Sequence, residues 1–424
     1  MRDSSELCAA VADLARQLAF AEWTDPQLVF NDLVQRLSAQ PSVESVGDAS
    51  AVIEGILAAC GRNGWVVERD EVSLTCQGEP PSTCSAELHG VQVSVHTFHV
   101  ASPAQALQCG RAVQGLTALR HTHILPFLGL CAPAPQQLWL ITEHVERGSL
   151  AAWLHNRSPA CVGRAVQMPQ ACSESAAKAP GAAAAGVIAE GAAAEGPGEG
   201  AYPDGLLQRC RVALQVASAM QALHELDPPL LHRGLTSAAV WLDGEARAWL
   251  GGFSCSCRLP SSGRLYTPAG PFLAQAPEVA AGKAYHCPAD VWSWGVLLVE
   301  LLSGQPPYND LALSPQQVAQ YVGQGLLIPL VPPGLPPRLQ ALAEAALSVL
   351  PEARPSFADI VVQLAAACED LQAIARQPTL QGSGPTGGPV DSVELGPSPG
   401  SEQPEGGLAY KVLLQVLAAI PATS

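Results

Sequence analysis

The sequence predicts an α+β fold in which a small β-rich part precedes a larger helical part. Two patterns carry this: short β-branched or alternating runs gather between residues 64 and 100, and helix-length apolar periodicity dominates from 205 onward. Strands first and helices later, in one stretch of chain, fit an α+β unit rather than alternating βαβ crossovers. The 424 residues, 48% of them hydrophobic, can bury a sizeable core.

Residues 1–63 read as a helical N-terminal region. Leu7, Val11, Leu14 and Leu18 recur at helical steps, Leu28, Leu33 and Leu37 continue the pattern, and Ala51, Ile53, Ile56 and Leu57 mark a third helix. Such a region either binds a partner or packs on the next domain. The runs Trp65–Val67, Val72–Thr75 and Val91–Val95 predict strands, Pro103–Leu119 a helix, and Ile124–Leu130 and Leu138–Ile141 two more strands. Residues 157–203, rich in Ala, Gly and Pro, cannot build a packed core and read as a disordered insertion. Short strands are predicted near 240 and 248 within the helical part. Residues 371–424 form a Gly/Pro/Ser-rich tail with a short apolar helix over 408–420.

Composition excludes several functions. A net charge of -16 argues against nucleic-acid binding, which needs a basic footprint, and against docking on an anionic membrane. The apolar run Val291–Leu302 is too short for a membrane span and carries Glu300. The 13 cysteines have no regular framework, and Cys255-Ser256-Cys257 is too tight for a zinc pair. They read as free thiols, and the chain reads as a cytoplasmic protein.

The motifs are more specific. The chain reads His232-Arg233-Gly234-Leu235-Thr236-Ser237-Ala238-Ala239, then Gly252-Phe253-Ser254, Ala276-Pro277-Glu278, Asp290-Val291-Trp292-Ser293-Trp294-Gly295 and Arg354-Pro355. Upstream stand Leu119-Arg120-His121, Thr142-Glu143 and Gly148-Ser149-Leu150. In this order, over roughly residues 72–370, the set resembles the protein kinase superfamily, in its tyrosine-kinase-like branch, in degenerate form. The resemblance implies the two-lobed kinase fold, with the kinase-like domain over 64–370. It implies structural roles for six residues. Glu278 and Arg354 form a buried ion pair, and Asp290 accepts hydrogen bonds from the 232–239 loop. His232 and Phe253 stack in an internal column near Leu116, and Arg233 can pair with a phosphate on the segment carrying Ser261, Ser262, Tyr266 and Thr267.

The positions that carry kinase chemistry are changed. Kinase catalysis is mostly positioning and charge stabilisation around ATP and magnesium. The glycine-rich loop falls on Cys76–Pro81, where only Gly78 remains and Glu79 would repel phosphate. The phosphate-anchoring Lys is His96, and its Glu partner is Ala112. The substrate-activating Asp is Gly234, and the two metal ligands are Ala239 and Gly252. Magnesium wants oxygen ligands, and no carboxylate stands at either metal position. Of a nucleotide slot, Gly78, Thr142, Glu143 and Val145 are left.

The resulting expectation is a pseudokinase that scaffolds or allosterically regulates other signalling proteins, active kinases among them. ATP is expected to bind weakly at most and without magnesium, and no cofactor is expected. One alternative is an ATP-dependent protein kinase, serine/threonine or tyrosine, in which His96, Glu79 or Asp227 substitute for the lost groups. A second is an interaction protein working through its helical ends.

Overall fold

The structure is a computed structural model and describes residues 30–31, 34–35, 49–75, 83–155 and 205–376. All of these lie in one compact unit, residues 1–376. The expected insertion at 157–203, the loop with Gly78 and Glu79, and the expected helix at 408–420 lie outside the described residues.

The predicted order is found. A five-stranded antiparallel sheet runs β1-β2-β3-β5-β4, from β1 (Val72–Leu74), β2 (Thr83–Leu88), β3 (Val91–His99), β4 (Phe127–Ala134) and β5 (Gln137–Glu143). Its central pair is β3 and β5, in a register that places His96 opposite Leu140 and Ser94 opposite Thr142. Ahead of the sheet lies α1 (Ser50–Arg62), and between β3 and β4 lies α2 (Pro103–Thr117). The start of α2 is fixed by its sequence. Ser102 caps the Gln105 N–H, the Gln105 side chain accepts from the Ser102 N–H, and Pro103 occupies the first helical position.

The helical lobe contains α3 (Leu150–Leu154), α4 (Gly205–His224), α5 (Pro277–Ala280), α6 (Pro288–Ser303), α7 (Pro315–Gly323), α8 (Pro337–Ala346) and α9 (Phe357–Arg376). The short strands β6 (Leu230–Leu231) and β9 (Cys257–Arg258) pair, as do β7 (Val240–Leu242) and β8 (Ala248–Leu250). Helix α6 is the core of the lobe. Every residue from Ala289 through Leu301 is buried, as befits a helix that is apolar on all sides. Trp294 donates to the Ala213 carbonyl of α4 at 3.3 Å, and Arg209 of α4 donates to the Leu301 carbonyl at 2.8 Å.

Four boundaries differ from the expectation. Trp65–Val67 does not extend into a strand; it meets β4 at one bridge, through hydrogen bonds from Val67 N–H to the Leu130 carbonyl and from Leu130 N–H to the Trp65 carbonyl. Strand β2 was not among the expected strands, although Cys84, Ala86 and Leu88 alternate with Thr83, Ser85 and Glu87 and face one core. The run from Ile124 enters the sheet only at Phe127, since Ile124 and Leu125 bond instead along the end of β8 at Leu250. Helix α9 continues past 370 to Arg376, with Leu371 still packed on the core.

One buried ion pair ties the lobe together. Arg354 donates from Nη1 and Nη2 to the two carboxylate oxygens of Glu278 at 2.7 and 2.8 Å. The same guanidinium donates to the carbonyls of Ser348 and Pro288 and lies over the Trp292 ring at 5.3 Å. Removing one partner leaves an uncompensated charge in the interior. Arg354→Ala and Glu278→Gln are each expected to lower the unfolding free energy by ~3–5 kcal/mol, read from urea denaturation; a loss below ~1 kcal/mol would contradict a structural role for the pair.

Candidate functional site

The loop at 232–239 is organised by a carboxylate that its sequence does not contain. Asp290, on the first turn of α6 and 1% exposed, accepts the backbone N–H of His232 and of Arg233, both at 2.8 Å. The ring of His224, at the end of α4, reaches the same carboxylate at 2.9 Å. Burial works against both charges, but their mutual hydrogen bond prevails: His224 is raised to about 9 and Asp290 is lowered. Arg233 adopts a φ of +57°, a left-handed conformation rare outside glycine, and the two amide bonds to Asp290 hold it there.

The side chain of Arg233 faces the segment after Phe253. Its Nε donates to the Cys255 carbonyl at 2.7 Å and its Nη1 to the Tyr285 hydroxyl at 3.2 Å. Tyr285 in turn donates to the Thr267 carbonyl at 2.6 Å. Arg233 thus already ties down the segment that carries the exposed hydroxyls of Ser261, Ser262, Tyr266 and Thr267, and it does so without a phosphate.

An aromatic column rises from this loop. The His232 and Phe253 rings lie 4.7 Å apart, and His232 Nε2 bonds the Gly251 carbonyl at 2.8 Å. Burial lowers the His232 pKa, so the ring is neutral; Nε2 donates, and Nδ1 accepts the Gly234 N–H at 3.3 Å. Above Phe253 sits α2, and the direct contact is Gly115, where a Cβ would fall 2.4 Å from the ring. The expected neighbour, Leu116, is buried beside it in the same core.

The positions for proton and metal chemistry hold the small residues Gly234, Ala239 and Gly252. Gly252 is left-handed at φ +72°, and a Cβ there would stand 2.7 Å from the Ala239 Cβ. The site offers a divalent cation neither carboxylate nor amide oxygen at these positions, nor the space to add one at 252, so these residues do not fit magnesium. At Gly234 a Cβ would make only ordinary contacts, 3.6 Å from Cys255 Cβ, so nothing steric excludes an acid there. Among the described residues, no group of three or more His, Cys, Asp or Glu side chains is placed to hold a metal ion, and Cys255 and Cys257 are free thiols.

Side chains meet one another at the slot between the lobes. His96 Nε2 bonds Thr142 Oγ1 at 3.0 Å, and its Nδ1 lies 3.3 Å from Thr83 Oγ1. Thr142 also donates to the Glu143 carbonyl, so it accepts from His96 Nε2–H, and Nδ1 accepts from Thr83. Both ring nitrogens of neutral His96 are satisfied, and burial lowers its pKa to about 4. The Trp241 ring packs edge-on against His96 at 5.3 Å and lies against Gly251, where a Cβ would be 3.3 Å away. Ala112 is buried at 5% exposure and gives only a methyl group. Of the remaining slot residues, Thr142 and Val145 are buried and Glu143 is exposed. Asp227, a candidate substitute acid, is exposed in the loop between α4 and β6.

Residues 75–364 match the family model for protein tyrosine and serine/threonine kinases. The chain belongs to this family.

The kinase match extends to curated relatives from distant organisms. Serine/threonine-protein kinase STY17 of Arabidopsis thaliana is 28% identical over 58% of this chain and 35% of its own length. Serine/threonine-protein kinase CTR1 of the same plant is 29% identical over 65% of this chain and 29% of its own. Scaffold protein ILK of Homo sapiens is 27% identical over 60% of this chain and 46% of its own. The chain therefore spans less than half the length of these relatives. With its motifs, these matches make it a degenerate kinase of the tyrosine-kinase-like branch.

Sequence reasoning missed Trp241. Its signal was a bulky aromatic two residues beyond Ala239, on a strand that borders the kinase nucleotide slot. His224 was also missed, because nothing in the sequence ties it to Asp290, 66 residues away.

The two buried histidines give the protein opposite pH responses. Neutral His96 resists protonation to about pH 4, whereas an unfolded histidine binds its proton near 6.5. The unfolded state then holds more protons between these values, so this site loses stability as pH falls from about 6.5 to 4, by up to ~1.4 kcal/mol per pH unit. His224 runs the other way, with a contribution that is complete below about 6.5 and lost as pH rises through about 9. His96→Gln is expected to flatten the acid-side decline of unfolding free energy between pH 6.5 and 4 by about one proton. Urea titrations across that range measure it, and an unchanged slope would show that His96 is not held neutral.

Proposed function

We propose that this chain is a pseudokinase: a kinase-fold scaffold or allosteric partner that acts through its surfaces on other cytoplasmic signalling proteins, active kinases among them. The observation that carries the reading is that neither Ala239 nor Gly252 offers an oxygen ligand where a kinase holds its metal, and that a Cβ at 252 would crowd Ala239. The cluster of His96, Thr142 and Trp241 supports it, because these side chains meet one another at the slot. The acid at 234 and the anchor at 96 are also replaced, so none of these positions keeps the group that a kinase uses there for Mg-ATP. The likeness to a relative named as a scaffold protein agrees with this reading. No described helix is long and apolar enough to cross a membrane, which is compatible with work among soluble partners.

The competing reading, an ATP-dependent protein kinase, is favoured by family membership and by the relatives named as kinases. A phosphotransferase assay with magnesium or manganese ATP separates the two. The scaffold reading expects no incorporation above that of an Asp290→Ala control, and turnover typical of active kinases would sink it. Nucleotide binding gives a second check. A ligand at about 100 times its Kd adds ~2.7 kcal/mol, a Tm rise of several degrees. Millimolar ATP is expected to leave the wild-type Tm unchanged, and a rise of several degrees would contradict the reading.

A further inference from the structure

Helix α2 lacks the ion pair that a kinase forms at these positions, because both charged partners are replaced, by His96 and Ala112. It also carries two interior glycines, Gly110 and Gly115, each worth about 1 kcal/mol of helix stability relative to alanine. A helix of this length and composition persists through tertiary packing rather than propensity. Beside its contacts with strands β3, β4 and β5, two grips stand out in that packing. One is the contact of Gly115 with Phe253. The other is the N-terminal segment, and at about 100° per residue the two glycines point some 140° apart around the helix.

The second grip is closely fitted. At Gly110 a Cβ would stand 3.2 Å from Ile56 Cδ1 and 3.4 Å from Val34 Cγ2, so α1 and the chain before it approach α2 backbone to side chain. Phe30, Val34, Val52 and Ile56 are at most 1% exposed, and they share one core with Ala106, Cys109 and Val113 of α2. Gln114, 2% exposed, donates to the Asn31 carbonyl at 3.3 Å. Phe30 meets the Trp65 ring edge-on at 6.0 Å, and Trp65 meets Phe127 of β4 at 5.6 Å, so the segment is anchored on the sheet as well as on the helix.

We propose that the N-terminal helical segment is a built-in clamp on α2: Phe30, Val34, Val52 and Ile56 press the helix onto Phe253 and take the place of the missing charge pair. Displacement of this segment, and not nucleotide, is then what moves α2. The apolar faces of the described N-terminal residues are spent on this contact, so a partner reaches them only by opening the clamp. The clamp does not depend on whether the slot accepts ATP.

Hydrogen exchange followed by mass spectrometry on the full chain tests it. Ile56→Ala is compared with Leu364→Ala, an equally buried truncation in α9. Ile56→Ala is expected to speed exchange in peptides covering 103–117 by about tenfold or more and to leave 357–376 unchanged; Leu364→Ala is expected to do the reverse. If Ile56→Ala does not fold, Ile56→Val gives the same pattern with a smaller, few-fold effect. Equal effects of the two variants on 103–117, or none from either, overturn the clamp. Millimolar Mg-ATP added to the wild type is a separate arm: protection of 103–117 by nucleotide would count against a slot closed to ATP, while the Ile56 comparison judges the clamp.

Discussion

The carboxylate of Asp290 is the point from which the catalytic-loop region takes its shape. A buried charge is unfavourable unless it is hydrogen-bonded and paired, and here two backbone amides and the His224 ring meet it. Those amides belong to consecutive residues, so the carboxylate fixes a peptide unit rather than a side chain. It thereby holds Arg233 in its left-handed conformation and aims His232 upward at Phe253. None of these bonds involves the side-chain position at Gly234. The loop can therefore keep its form after its acid is gone, because the form is imposed from α6.

From that anchor the order propagates in both directions. Downward, α6 carries the covered Trp292 face on which Arg354 lies, and Arg354 grips Glu278. Upward, Phe253 gives α2 a floor at Gly115. Along the segment after Phe253, Arg233 and Tyr285 pin the backbone at Cys255 and Thr267. Each connection is a hydrogen bond, an ion pair or a packing contact between protein groups. The molecule keeps the mechanical linkages of a kinase.

Much of this was legible in the sequence, for physical reasons that differ by element. Helix α6 announced itself through an apolar run of helix length, and Glu278, Asp290 and Arg354 through motifs whose spacing survives. The helix at 103–117 was legible from Ser102, Pro103 and Gln105, a complete start signal. Strand β2 was overlooked: its apolar face, Cys84, Ala86 and Leu88, alternates but is built of small or partly buried residues and carries no β-branched side chain. The slot was half legible: His96 was read as a replaced lysine, but its bonds to Thr83 and Thr142 depend on the register of three strands. Trp241 escaped because its meaning lies in what it touches across the lobes, and periodicity carries no such information.

The contact between Gly252 and Ala239 also bears on how such a protein could change over time. An aspartate introduced at 252 alone would meet the Ala239 methyl and would have to adopt a backbone conformation with φ +72°. An asparagine introduced at 239 alone would still lack its carboxylate partner. Neither single step restores both family metal ligands, so the two positions have to change together, with room made at Ala239 for a side chain at 252.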